Sequence, residues 1–106
     1  MTIILEDGKL NNIFLTLGYK INEVFIDLEI IDTFNNVTKV IEGLEDLSPN
    51  KLLYSHFELE TVSKNLEDLD EHKVHLILNK KYEYRIKENG NIIGAGYLLN
   101  VENINI

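Results

Sequence analysis

The sequence predicts an all-β fold, a mainly antiparallel small barrel with room for one short helix. Three observations carry this expectation. Apolar and polar residues alternate over residues 24–31 and 56–62. A half-buried strand needs that period of two, because successive side chains point to opposite faces. Asn89-Gly90 stands between two further runs, and the pair suits a type I′ hairpin turn, whose central residues both need positive φ. Short runs of this kind recur along the chain, separated by turn residues, as in a small barrel or sandwich. The 106 residues are one domain's length, with no Pro-rich, Gly/Ser-rich or repeated segment to mark a linker. Residues 1–106 are therefore expected to form a single domain.

In chain order, residues 2–5 form a short apolar run, Asp7-Gly8 signals a turn, and residues 10–17 return as a second apolar stretch. This reads as an N-terminal hairpin extension over residues 1–20, ended by Gly18. In residues 24–31, Val24, Ile26, Leu28 and Ile30 point one way and Asp27 and Glu29 the other. Residues 32–36 are a turn. Over residues 37–47, Val37, Val40, Ile41, Leu44 and Leu47 fall at helical spacing, with Glu42, Glu45 and Asp46 outward. That favours a short helix or irregular segment, although Gly43 costs a helix about 1 kcal/mol relative to Ala. Ser48-Pro49-Asn50 is a break, in which Ser48 would cap a brief turn starting at Pro49. Residues 56–62 alternate again, with Phe57, Leu59 and Thr61 on one face. An acidic loop over residues 67–71 precedes a strand over residues 74–78 and a turn over residues 79–81. Residues 102–106 read as a fraying end.

The last hairpin can be registered from its turn. With Asn89 and Gly90 in the turn, Glu88 faces Asn91, Lys87 faces Ile92, Ile86 faces Ile93, Arg85 faces Gly94, Tyr84 faces Ala95 and Tyr82 faces Tyr97. One face then carries Tyr82, Tyr84, Ile86, Ile93, Ala95 and Tyr97, of which Ile86, Ile93 and Ala95 are expected to be buried. The other face sets Glu83, Arg85 and Lys87 against Ile92, Gly94, Gly96 and Leu98. The two glycines mark a bulge, a corner or a close approach of backbone. Ile92 and Leu98 leave two readings open, a subunit interface or cover by another segment.

The hairpin also carries a resemblance. The stretch Tyr84-Arg-Ile-Lys-Glu-Asn-Gly-Asn-Ile-Ile-Gly-Ala-Gly96 resembles the last hairpin of the C-terminal β-barrel, domain III, of elongation factor Tu. Ile86, Lys87, Glu88, Gly90, Ile93, Gly94, Ala95 and Gly96 fit that family's pattern, and a looser likeness extends back to about Val24. Where the family has a Pro-Gly-Asp turn, this chain has Asp70-Glu71-His72-Lys73. The resemblance implies a barrel that serves as a contact surface for partner proteins and RNA.

Composition limits the function classes. The chain lacks cysteine, which excludes disulfides, thiolate catalysis and Cys-ligated zinc. Eighteen Asp and Glu against 10 Lys and Arg give a net charge of −8. A general nucleic-acid or acidic-membrane binder needs the opposite field. No apolar run approaches the roughly 20 residues of a membrane span. The expected location is the cytoplasm, and the abundance of Ile, Asn and Lys hints at a bacterial source.

Four constellations carry residue types suited to binding chemistry. His56, Glu58 and Glu60 share one strand face and have the donor types of a divalent metal site, but a fourth ligand is not evident and a solvated polar face is the better reading. His72 and His75 sit three apart in a predicted strand, where they would point to opposite faces, so they read as surface histidines. Glu67, Asp68, Asp70 and Glu71 lack the glycine and the spacing of an EF-hand, and read first as a solvated loop, with a docking surface for a basic partner as the minority reading. Lys80, Lys81, Arg85 and Lys87 form a basic patch interleaved with Tyr82 and Tyr84, a pattern that can hold RNA. The predicted register turns the tyrosines away from Arg85 and Lys87, so RNA is the weaker reading. Gly94-Ala-Gly96 lacks the lysine and the following helix of a phosphate loop. No catalytic, cofactor or metal residues are assigned. The leading expectation is a non-enzymatic protein-binding module. An acidic immunity or antitoxin protein neutralising a basic toxin is second, and a metal-binding protein or enzyme with a dispersed site is third.

Overall fold

The structure, a computed structural model, describes residues 2–16, 25–49 and 54–102. Among these residues the chain runs through β1 (Thr2–Glu6), β2 (Leu10–Leu15), β3 (Phe25–Asp32), β4 (Val37–Glu45), β5 (Ser55–Thr61), β6 (Lys73–Val74), β7 (Lys81–Glu88) and β8 (Asn91–Val101). Two 3-10 turns, Lys64–Leu66 and Leu69–Glu71, lie between β5 and β6. The strands form a five-stranded sheet in the order β1-β8-β7-β3-β4 and a three-stranded sheet in the order β2-β5-β6. The fold is all-β, as the sequence predicts, and where a small barrel was expected the strands form two sheets, with no closed barrel among the described residues. Most pairings are antiparallel, while β1 runs parallel to β8 and β5 parallel to β6.

Alternation explains the core. Ile26, Leu28 and Ile30 of β3 and Tyr82, Tyr84 and Ile86 of β7 turn inward at every second position. Ile13 and Leu15 of β2 and Phe57 and Leu59 of β5 do the same in the smaller sheet. Residues of both sheets join in one buried cluster, so the two inner faces meet. The predicted strand faces at residues 25–31 and 56–61 are those observed. Val24 lies outside the described residues.

The N-terminal hairpin is corrected. Asp7-Gly8 does reverse the chain, with Gly8 at φ 74, but β1 joins the larger sheet and β2 the smaller. The side chain of Asn11 takes the place of a strand partner. The Glu6 N–H donates to Asn11 Oδ1 at 2.8 Å, and Asn11 Nδ2 donates to the Glu6 carbonyl at 3.0 Å. Thr61 Oγ1 donates to the same carbonyl at 2.7 Å. Gly18 lies outside the described residues.

The helix expected over residues 37–47 is also corrected: it is strand β4. Ile26 pairs with Leu44 and Leu28 with Ile41, so Asp27 faces both Glu42 and Gly43. Gly43 adopts φ 69 and its N–H donates to Asp27 Oδ1 at 3.2 Å. This β-bulge puts Ile41 and Leu44, three residues apart, on the same buried face, which imitates helical spacing. The turn proposed from Pro49 runs into residues 50–53, outside those described. The end predicted to fray begins after β8, and residues 103–106 are likewise outside.

The strand expected over residues 74–78 shortens to Lys73–Val74. Beyond it, side chains satisfy the backbone that a ladder would otherwise pair. The His75 N–H donates to Glu67 at 2.8 Å, the Leu76 carbonyl accepts from Asn100 at 3.0 Å, and the Ile77 N–H donates to the Tyr82 hydroxyl at 2.9 Å.

The last hairpin keeps its turn and loses its register. Asn89 and Gly90 take φ 50 and 80. Glu88 faces Asn91 and Lys87 faces Ile92, as predicted. The register then shifts by one: Ile86 faces Gly94, Arg85 faces Ala95, Tyr84 faces Gly96 and Tyr82 faces Leu98. Ile93 is the extra residue and stays buried. Ala95 and Tyr97 therefore turn outward, against expectation, while Leu98 and Asn100 turn into the core. Leu98 is core rather than interface, and Ile92 remains exposed.

Candidate binding surface

The segment between β5 and β7 carries the acidic candidates. Glu67 is not a free docking group. It pairs with Lys39 of β4 and accepts the His75 N–H, while Lys39 Nζ also donates to the His75 carbonyl at 2.8 Å. Partial burial pushes the Glu67 carboxyl up, but the Lys39 ammonium and the His75 N–H outweigh it and hold the group below its ordinary range. Asp68 is exposed, and its backbone exchanges hydrogen bonds with Lys73 at 3.0 and 2.9 Å. Asp70 and Glu71, on the second 3-10 turn, are exposed and have no side-chain partner among the described residues. That turn packs against β4, where His72 Nε2 lies 3.1 Å from the Glu42 carbonyl oxygen and the Glu42 side chain is exposed.

The basic candidates are largely neutralised. Lys80 pairs with Asp32, which also accepts the N–H groups of Phe34 and Asn35 at 3.1 Å and so closes the β3–β4 turn. The Lys80 hydrogen bond, followed by that from the Asn35 side chain, holds the Asp32 carboxyl down at about 2. Arg85 and Lys87 converge on Glu29, at 3.8 and 3.2 Å. Lys81 Nζ sits 3.8 Å from the centre of the Tyr97 ring. Tyr82 and Tyr84 are buried, and burial pushes the Tyr84 hydroxyl up. The tyrosines thus point away from Arg85 and Lys87, as the sequence predicts, despite the shifted register, while Lys80 Nζ lies 5.6 Å from the centre of the Tyr82 ring.

The histidines do not assemble. His56, Glu58 and Glu60 share the outer face of β5, but His56 Nε2 lies 2.9 Å from Asn12 Oδ1 and its ring stacks on Phe14 at 4.4 Å. His75 Nδ1 lies 3.0 Å from the Val62 carbonyl oxygen. Among the described residues no group of three His, Asp or Glu is placed to hold a metal ion.

Two clefts flank His75 and Ile77. Lys39 and Asp32, the partners of Glu67 and Lys80, line one of about 340 Å³ together with Tyr82. The other, about 680 Å³, lies toward the β1–β2 turn. Sequence reasoning singles out Glu67 and Lys80 but misses Lys39 and Asp32 as their partners, for want of any local signal.

No protein family, curated protein or solved structure matches this chain. Among the described residues no helix is long and apolar enough to cross a membrane.

The Asp32–Lys80 pair gives a direct prediction. A depressed carboxylate contributes stability that is fully present above its unfolded value of 3.8 and is lost as pH falls through about 2. Lys80→Gln should move the Asp32 titration up toward the ordinary range. Carbon-detected NMR of the carboxyl reads this directly, and a midpoint unchanged in the variant would mean that Lys80 is not its partner.

Proposed function

We propose that the protein is a non-enzymatic protein-binding module of the bacterial cytoplasm whose partner is a basic protein. One observation carries this reading: the charges are sorted. Lys39, Lys80, Arg85 and Lys87 are paired with acids of the same chain, whereas Asp70 and Glu71 face solvent with no cation against them among the described residues. The net charge of −8 therefore reaches the surface as unneutralised carboxylate, which steers and selects a positively charged partner. The resemblance of the last hairpin to domain III of elongation factor Tu supports a contact surface, for protein and RNA alike. The pairing also weakens the RNA reading, since Lys80, Arg85 and Lys87, three of the four cations of the patch, already hold carboxylates. A narrower form of the proposal, an immunity or antitoxin protein covering a basic toxin, rests on the same charge sorting.

Capture with the tagged protein from the native host's lysate, with and without nuclease, tests the proposal. A basic protein should be retained after nuclease and released by salt. Loss of every partner on nuclease treatment would replace the proposal with RNA binding.

A further inference from the structure

Three exposed apolar side chains converge on the larger cleft. Leu66 is 59% exposed, Ile77 52% and Leu78 44%, and all three line it. Asp7 and Glu60 line the same cleft, and no Lys or Arg among the described residues does. The backbone that displays Ile77 and Leu78 is fixed from beneath. The Tyr82 hydroxyl holds the Ile77 N–H, and Asn100, fully buried, holds the Leu76 carbonyl through its side chain and the Asn79 N–H, at 2.7 Å, through its own carbonyl. Apolar groups held rigidly in place lose little entropy when a partner covers them.

We infer that this cleft is the anchor point for the basic partner proposed above, on which reading the inference rests. It takes an aliphatic side chain of a protein segment against Leu66, Ile77 and Leu78, while a neighbouring Lys or Arg reaches Asp7 or Glu60. Charge decides between occupants. A second copy of this chain docked two-fold on the cleft would bring Asp7 and Glu60 toward their own equivalents, which like-charge repulsion opposes. A basic and aliphatic segment meets both features.

The test uses methyl NMR of the full protein with three synthetic peptides of alternating Lys–Leu, Lys–Ser and Glu–Leu. The Lys–Leu peptide should shift the methyls of Leu66, Ile77 and Leu78 in a saturable way. Leu66→Ser combined with Leu78→Ser, at positions already exposed, should weaken that binding at least tenfold without changing the melt. Lys–Ser binding as tightly as Lys–Leu, with the methyls unmoved, would overturn the cleft assignment and leave the basic partner standing. Equal binding of Glu–Leu would overturn the charge argument at the rim. Binding of neither lysine peptide would count against the cleft and the basic partner together. Methyl shifts that grow with protein concentration alone would assign the cleft to a second copy and overturn the inference.

Discussion

Leu98→Asp should unfold the protein, whereas Tyr97→Asp should melt close to the parent. The two residues are neighbours on β8, and the bulge at Ile93 decides which one faces the core. Leu98 is 0% exposed and faces Tyr82, while Tyr97 is 45% exposed. Burying an unpaired carboxylate costs many kcal/mol, or forces it to stay protonated. Against a total stability of about 5–15 kcal/mol for a domain, that is enough to abolish the fold. Tyr97→Asp loses its contact with Lys81, worth about 0.5–1 kcal/mol at an exposed site, and sets a carboxylate opposite Glu83, a cross-strand cost of about 0.2–1 kcal/mol. Circular-dichroism melts of the two variants separate the registers. The opposite order of stability would restore the unbulged hairpin, in which Tyr97 lies inside and Leu98 outside.

Asn100→Ala should cost about 2–4 kcal/mol, the loss of one buried and one partly buried hydrogen bond together with an acceptor left unsatisfied. Asn100 Nδ2 donates to Asp7 Oδ1 at 2.9 Å and to the Leu76 carbonyl at 3.0 Å. The side chain thereby ties β8 to both the β1–β2 turn and the irregular segment after β6. Asn100→Asp should be worse at neutral pH, because it sets two carboxylates against each other where one amide–carboxylate bond stood. Its deficit relative to Asn100→Ala should shrink as pH falls and one of the two acids protonates. Denaturant unfolding at several pH values checks both variants. An Asn100→Asp protein as stable at pH 7 as the parent would contradict the role given to this residue.

The parts of the fold that are legible in the sequence are those fixed by local alternation. In β5 and β7, and in β3 from Ile26 to Ile30, the inward residues recur at every second position, so strand and face both follow. The Asn89-Gly90 turn is legible because few residue pairs tolerate two successive positive φ values. The two bulges hide. At Gly43 an extra residue in β4 turns alternation into a spacing of three, which reads as helix. At Ile93 the extra residue lies beside another apolar residue, Ile92, so hydrophobicity cannot locate it; Gly94 and Gly96 are the hint. Strand partners hide as well. The apolar runs at residues 2–5 and 10–15 announce strands, but nothing local says that Thr2 lies beside Tyr97 in parallel register. The same holds for the binding surface. The charged residues are plain in the sequence, but which of them are neutralised is not. Glu67 meets Lys39 from 28 residues away and Lys80 meets Asp32 from 48, and those pairings decide which charges are neutralised within the chain.

On the proposed reading, a partner docks on the unneutralised acids and not on the basic hairpin. The most direct test is the affinity of the captured partner for the parent and for two variants, Asp70→Asn with Glu71→Gln and Lys81→Gln with Arg85→Gln. The account predicts that the acid-neutralised variant binds at least tenfold more weakly, about 1.4 kcal/mol, with a loss that narrows as salt is raised. It predicts that the cation-neutralised variant stays close to the parent. Loss of binding in the cation variant, with the acid variant unaffected, would contradict it.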